Sequence, residues 1–285
     1  MFLILKIKNK KNIFAKYQIK KNFLKKLFLI QQYFIYLFKA KSAHGIHSPF
    51  VFEFIKNILQ DQRHFYAFDE IKKMRKSMYH DDTMLTVEDF GAGSHKNNLS
   101  KRSVKDIART AGRNEKMGKL LFKIVEKFKP AQIIELGTSM GLGTLYLSMA
   151  NNESHVHTIE GSKEIAKQAG KHFEKLNLKN ISQHVGNFDD ILLPFLQKIK
   201  NIDLFFIDGN HRKKPTLQYF EQAKPFLNEH SIVIFDDIHW SKDMHEAWLE
   251  IIQDESIAIS IDVFYFGIIF FKKDIKEKQH FVLKY

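Results

Sequence analysis

From residue 116 to the C-terminus, short apolar runs rich in β-branched and aromatic residues alternate with longer segments whose apolar positions recur every three to four residues. The runs predict strands over 132–136, 155–160, 181–185, 203–207, 232–235, 257–264 and 268–272, and the intervening segments predict helices. Strands that alternate with helices fold as a parallel sheet covered on both faces. The last two runs are joined only by a turn near Gly267, too short for a crossover helix, so they pair antiparallel. The expected fold is α/β: a Rossmann-like, seven-stranded mixed sheet of five parallel strands plus an antiparallel edge hairpin, with helices on both faces and an N-terminal helical extension.

The first part of the chain follows a different pattern. Ser48-Pro49 predicts a helix start, with Ser48 as N-cap and Pro49 in the first turn, and an apolar helix through about residue 59. A polar, mixed stretch over 61–110 carries a glycine-containing turn at 89–94 and then a predicted helix over 104–111. Ahead of these, lysines interleave with apolar pairs, Phe23/Leu24, Leu27/Phe28 and Phe34/Ile35, then Phe38, at helical spacing. The predicted division is a basic amphipathic arm over 1–43, a helical cap over 44–115 and a ligand-binding domain over 116–285.

Charge changes the picture of the arm more than that of the domain. The net charge is +13, yet residues 1–41 hold eleven lysines and no acid, which leaves the remainder nearly neutral. The basic character therefore belongs to the arm, and no specific nucleic-acid partner is expected. The aromatic residues of the arm require burial, against its own body or against a second subunit in a homodimer. Its lysines suit peripheral contact with an anionic membrane surface or another polyanion. The longest uncharged stretch, 27–38, is too short for a bilayer core, which takes about 20 apolar residues. The lysine-rich part is too long for a signal peptide and 40–43 is a poor cleavage site, so a cytoplasmic location is expected, with peripheral contact at a membrane. The chain has no cysteine, which excludes disulfides, thiolate metal sites and cysteine nucleophiles.

The candidate chemistry sits where predicted strands end. Glu135-Leu136-Gly137-Thr138-Ser139-Met140-Gly141 follows a strand, opens a helix and precedes a second strand ending in Glu160, an acid placed to take ribose hydroxyls. The glycines fall as G-x-x-x-G-x-G rather than the G-x-G-x-x-G that seats a pyrophosphate. A carboxylate at Glu135 suits a cationic ligand, and S-adenosylmethionine carries both an ammonium and a sulfonium. The fourth and fifth strands of the sheet end in Asp208-Gly209-Asn210-His211 and Asp236-Asp237-Ile238-His239-Trp240. Carboxylates at adjacent strand ends repel unless a cation or proton sits between them, and hard oxygen donors suit Mg²⁺, Mn²⁺ or Ca²⁺. Histidine titrates near pH 6.5 when unperturbed, which suits His211 to general-base work. His239 is expected to hydrogen-bond a carboxylate, and Trp248 to pack on the apolar side of a helix capped by Ser241.

The Glu135–Gly141 turn resembles that of class I S-adenosylmethionine-dependent methyltransferases, in particular the metal-dependent O-methyltransferases of the catechol and caffeoyl-CoA type. The resemblance covers residues 116–285. It implies that Glu135, Gly137 and Gly141 hold the methionine portion, that Glu160 binds the ribose diol, and that Asn187 and Phe188 lie beside the adenine. Thr138, Ser139, Gly161 and Asp208 join this cofactor-binding set. It also implies a divalent cation, Mg²⁺ first among candidates, on Asp208, Asp236 and Asp237, with Asp237 where the family usually has Asn. His211 stands where the family commonly has a lysine base, and with Asp208 forms the expected catalytic pair. The implied activity is methylation of an oxygen on a small-molecule or lipid-like acceptor. Alternatives are an RNA or protein N-methyltransferase, or a non-catalytic nucleoside-fold binding protein tethered by the basic arm.

Overall fold

The computed structural model describes residues 24–88, 99–110, 112 and 114–285; the 89–94 turn and most of the lysine-rich arm lie outside the described residues. Residues 24–39 form helix α1. A 3-10 turn, Ala43–Gly45, leads into α2 (Pro49–Phe54), which continues as a π-helical turn, Ile55–Leu59, before α3 (Tyr66–Met78). Ser48 occupies the N-cap position of α2 as predicted but makes no capping hydrogen bond; Pro49, which has no N–H to satisfy, begins the helix. Strands β1 (Met84–Glu88) and β2 (Leu99–Ser103) pair antiparallel and lead into α4 (Val104–Thr110) and α5 (Glu115–Phe128).

The large sheet then begins with β3 (Gln132–Leu136), α6 (Leu142–Ser148), β4 (His155–Glu160), α7 (Lys163–Lys175), β5 (Ile181–Val185) and α8 (Phe188–Ile199). It continues with β6 (Ile202–Ile207), α9 (Lys213–Ala223), β7 (Leu227–Asp236), α10 (Lys242–Ile251), β8 (Ile259–Asp262), β9 (Phe266–Phe270) and β10 (Gln279–Val282). The spatial order is β10-β8-β9-β7-β6-β3-β4-β5. The five parallel strands and the β8–β9 hairpin are as predicted, but the sheet has eight strands and the hairpin is not its edge. β9 pairs antiparallel with β7, and β10 adds in parallel outside β8, covering it. β10 reads as Gln-His-Phe-Val and is only partly buried, so it lacks the apolar run by which the inner strands announce themselves.

Alternate residues of the inner strands serve opposite cores. Ile133, Leu204, Phe206, Ile232 and Ile234 pack with α5, α6 and the cap, whereas Ile134, Leu136, Phe205, Ile207, Val233 and Phe235 pack with α8, α9 and α10. Trp248 is fully buried in the second core, and Ser241 accepts from the Met244 amide at the start of α10, both as expected. The chain reverses its direction of sheet growth between β3 and β6, so the C-terminal ends of those strands border a crevice.

Helix α1 packs on the body, not away from it. Tyr36 is buried, donates to the Leu283 carbonyl at 2.6 Å and accepts from the Tyr285 amide at 3.1 Å. Burial pushes its hydroxyl pKa up to about 12. Tyr33 and Tyr36 both contact the Phe264 ring, at 4.9 and 5.3 Å between centroids. Tyr36→Phe would leave the Leu283 carbonyl without this donor, so it is expected to lower stability by about 1–3 kcal/mol in urea unfolding. A loss of no more than a few tenths of a kcal/mol would mean that α1 is not held by this contact.

Candidate active site

The crevice opens from backbone contacts that only small residues permit. Gly137, just after β3, sits at φ 101°, and a Cβ there would lie 2.0 Å from the Asp208 carbonyl at the end of β6. Its amide donates to the Ile159 carbonyl at 3.0 Å, and the Asp208 amide donates to the Leu136 carbonyl at 2.9 Å. Three strand ends are thereby tied together. Three non-glycine residues on the surrounding loops, Ser139, Asn210 and Asp237, adopt the left-handed conformation at φ 48°, 59° and 55°. All three line one cavity of about 560 Å³. Such conformations cost roughly 1–3 kcal/mol each and gather where a structure holds a site open.

Of the predicted cofactor residues, Gly137, Ser139, Glu160, Gly161, Asn187, Phe188 and Asp208 line this cavity. Glu135, Thr138 and Gly141 do not. Glu135 is fully buried beneath the first turn of α6, where its Oε2 accepts from Thr144 at 2.5 Å and Thr158 at 2.7 Å. Thr138 is buried as well, 2.6 Å from the Thr158 hydroxyl, and Gly141 is closed over by Phe173 and Ala169. The direct ligand contact expected of Glu135 is therefore replaced by a brace: its carboxylate holds the turn from below. Strand parity explains the difference, since Glu135 points into the packed interior while the backbone at Gly137 reaches the crevice.

Glu160 takes the role at the cavity wall. Its two carboxylate oxygens accept from the Ser139 and Ser162 amides, each at 2.9 Å. Burial raises its pKa above the usual carboxylate range, and the backbone donors oppose that rise. Asn187 caps α8, accepting from the Asp189 amide at 3.3 Å, and the Phe188 ring packs over Gly209, where a Cβ would come within 2.4 Å of it.

Asp208, His211 and Asp236 each present a ligand atom within 4.8 Å of the others. His211 Nε2 lies 3.7 Å from Asp208 Oδ1. Asp237, the third carboxylate predicted as a ligand, lines the same cavity but stands outside this cluster, and His211 fills the third place. β7 ends at Asp236, and the left-handed turn at Asp237 sends the next side chain in another direction. His239 bonds a carboxylate, as expected, but that of Asp262 at 2.7 Å, away from the cluster.

Several cavity residues carried no sequence signal. Val87, Ser100 and Arg102 come from the small β1–β2 sheet, and Tyr265 from the β8–β9 turn. Arg102 donates to the Thr110 hydroxyl at 2.6 Å, which orients the cap strand along α4. The raised pKa of Glu160 has a testable sign. A carboxyl whose folded pKa exceeds its unfolded value stabilises the fold at low pH and loses that contribution as pH rises through the folded value. Glu160→Gln is therefore expected to gain stability relative to wild type as pH rises above the ordinary carboxylate pKa in urea titrations; a pH-independent difference would contradict the burial of its charge.

Comparison with known proteins places this geometry. Residues 134–238 match the family model described as a methyltransferase domain. An uncharacterized protein of Acanthamoeba polyphaga mimivirus is 30% identical over 134 residues, covering 42% of this chain and 59% of that protein. A tRNA (guanine-N(7)-)-methyltransferase of Mycoplasma mobile is 28% identical over 120 residues, 40% of this chain and 60% of that protein. The match thus spans about 60% of the length of these curated relatives. Among solved structures, an SAH-bound methyltransferase of Podospora anserina superposes with a TM-score of 0.55 at 13% identity, covering 80% of this chain and 98% of that one. An O-methyltransferase of Streptomyces achromogenes in complex with SAM gives 0.51 at 18% identity, covering 74% and 91%. At such identities the likeness is one of fold. No described helix is long and apolar enough to cross a membrane. Residues 134–238 thus match a methyltransferase-domain model, and the chain around them shares the fold of these solved methyltransferases.

Proposed function

We propose that the protein transfers a methyl group from S-adenosylmethionine to an oxygen of a small-molecule or lipid-like acceptor. One observation carries this reading: the cavity brings Glu160, the Gly137–Ser139 turn and the Asp208/His211/Asp236 cluster onto one continuous wall. Its volume of about 560 Å³ is of the size that holds a nucleoside with part of an acceptor. The Glu160 carboxylate, fixed by two backbone amides, suits a vicinal diol, and Phe188 offers an apolar face for a base. Bound S-adenosylmethionine supplies an electrophilic methyl group on a sulfonium.

The residues at the far end of the wall then define the acceptor step. Asp208 and Asp236 offer hard oxygen donors, which fit Mg²⁺ or Mn²⁺, and His211 stands beside them. A divalent cation there would be held by Asp208 and Asp236 and would lower the pKa of an acceptor hydroxyl. His211 Nε2 takes the hydroxyl proton, and Asp208, 3.7 Å away, stabilises the imidazolium that results. Trp240 and Tyr265, both nearly half exposed, line the same cavity and offer aromatic surface to an acceptor.

The Mycoplasma relative supports a second reading, N-methylation of an RNA base. It is separable by assay, because tritiated methyl incorporation into unmodified tRNA would establish it. On the primary reading, calorimetry with S-adenosylhomocysteine is expected to show binding by wild type and, since Glu160→Ala removes a charged hydrogen-bond acceptor, a loss of about 10–100-fold in that variant. Absence of wild-type binding would remove the enzymatic reading. Titration with Mn²⁺ alone is expected to show a site lost in Asp236→Asn; no Mn²⁺ binding by wild type would remove the cation and leave the rest standing.

A further inference from the structure

Helix α1 has two apolar faces, and the fold uses only one. Gln32 and Tyr36 are buried against the body and Leu29 is half-buried beside them. Leu27, Ile30, Phe34 and Phe38, spaced three, four and four residues apart, form an opposite stripe that stays exposed, Phe34 by 67% and Phe38 by 94%. An uncovered aromatic stripe of this kind marks an interaction surface.

Beneath α1 runs a second cavity, of about 340 Å³, between the helix and the β8–β9 turn. Leu29, Ile30, Tyr33, Val263 and Phe264 give it a largely apolar wall. Asn114, Met117 and Tyr265 line both this groove and the candidate active site, so the two adjoin. The groove therefore leads from the exposed stripe of α1 to the acceptor end of the catalytic wall.

Charge selects the occupant. Residues 1–41 carry eleven lysines and no acid, so a second copy seated on α1 would oppose two strongly basic arms. An anionic bilayer surface instead attracts each lysine by about 1 kcal/mol and receives apolar side chains into its acyl boundary. We propose that α1 lies on an anionic bilayer surface and that the groove beneath it admits the apolar chain of an acceptor resident there, whose hydroxyl reaches the Asp208/His211/Asp236 cluster. The acceptor half of this proposal rests on the methyltransferase reading; the docking half does not.

The test uses the full chain with vesicles of phosphatidylcholine containing one-third phosphatidylglycerol, doped with a diazirine-bearing palmitic acid. Wild type is expected to sediment with these vesicles and to stay in solution with pure phosphatidylcholine. Phe34→Glu/Phe38→Glu is expected to lower the partition by at least about tenfold, since two aromatic side chains lose their burial. Both positions are exposed, so its S-adenosylhomocysteine affinity is expected to equal that of wild type. Photolysis is expected to place adducts on 29–33 or 263–265. Equal partition of variant and wild type, adducts confined to other segments, or a two-copy species in sedimentation that the same substitutions abolish would overturn the proposal. Normal nucleoside binding with any of those results removes only this inference; vesicle docking without nucleoside binding removes the methyl-transfer reading instead.

Discussion

The contact on which the rest depends is between two backbones. Where β3 ends, Gly137 turns through a left-handed conformation and its Cα rests against the Asp208 carbonyl at the end of β6. A methyl group in that gap would meet the carbonyl at 2.0 Å. The close approach sets the spacing of the crevice at the point where the sheet changes its direction of growth, and everything that lines the cavity is positioned from it. Below, Glu135 braces the turn through Thr144 and Thr158; above, Ser139 directs its amide to Glu160. The two acids, similar in sequence context, thus have opposite duties. One is sealed in the interior by hydroxyl donors, and the other stands at the wall, where it can meet a ligand.

The electrostatic character of the cavity follows from how few counter-charges it contains. Glu160, Asp208, Asp236 and Asp237 line it together, and Arg102 is the cationic side chain among the described lining residues. Burial raises the pKa of Glu160 and, with the charge of Asp237, that of Tyr265. An acid-rich, partly desolvated wall favours cationic ligands, whether a sulfonium nucleoside or a metal ion. Left-handed residues at Ser139, Asn210 and Asp237 show that the loops holding these groups are constrained by their surroundings rather than by their own preferences.

How much of this was legible in the sequence depended on which signal each part carries. The inner strands β3, β6 and the second half of β7 are buried on both faces and are written as apolar runs; the short link specified the hairpin, although Gly267 itself pairs within β9 and the turn lies at 263–265. β10 and β2 are polar or half-exposed, Gln-His-Phe-Val and Leu-Ser-Lys-Arg-Ser, and gain their strand character from a neighbour rather than from their own pattern. At the site, positions at strand ends were readable because strand order dictates where ligands meet the sheet. Side-chain direction was not: Glu135 and Asp237 have the residue types of ligand-contacting groups, but one points inward and the other, itself left-handed at φ 55°, lines the cavity outside the Asp208/His211/Asp236 cluster. Arg102 and Tyr265 reach the cavity only through tertiary packing, and no local spacing encodes that. The arm was ambiguous because it has two apolar faces; α1 satisfies one against Phe264 and leaves the other exposed.

The central claim is that a nucleoside lies against the turns after β3 and β4. Hydrogen–deuterium exchange with and without S-adenosylhomocysteine tests it at the backbone groups concerned. The account predicts slowed exchange in peptides containing Ser139 and those containing Gly161 and Ser162. Protection confined to other parts of the chain, or no change at saturating ligand, would contradict it.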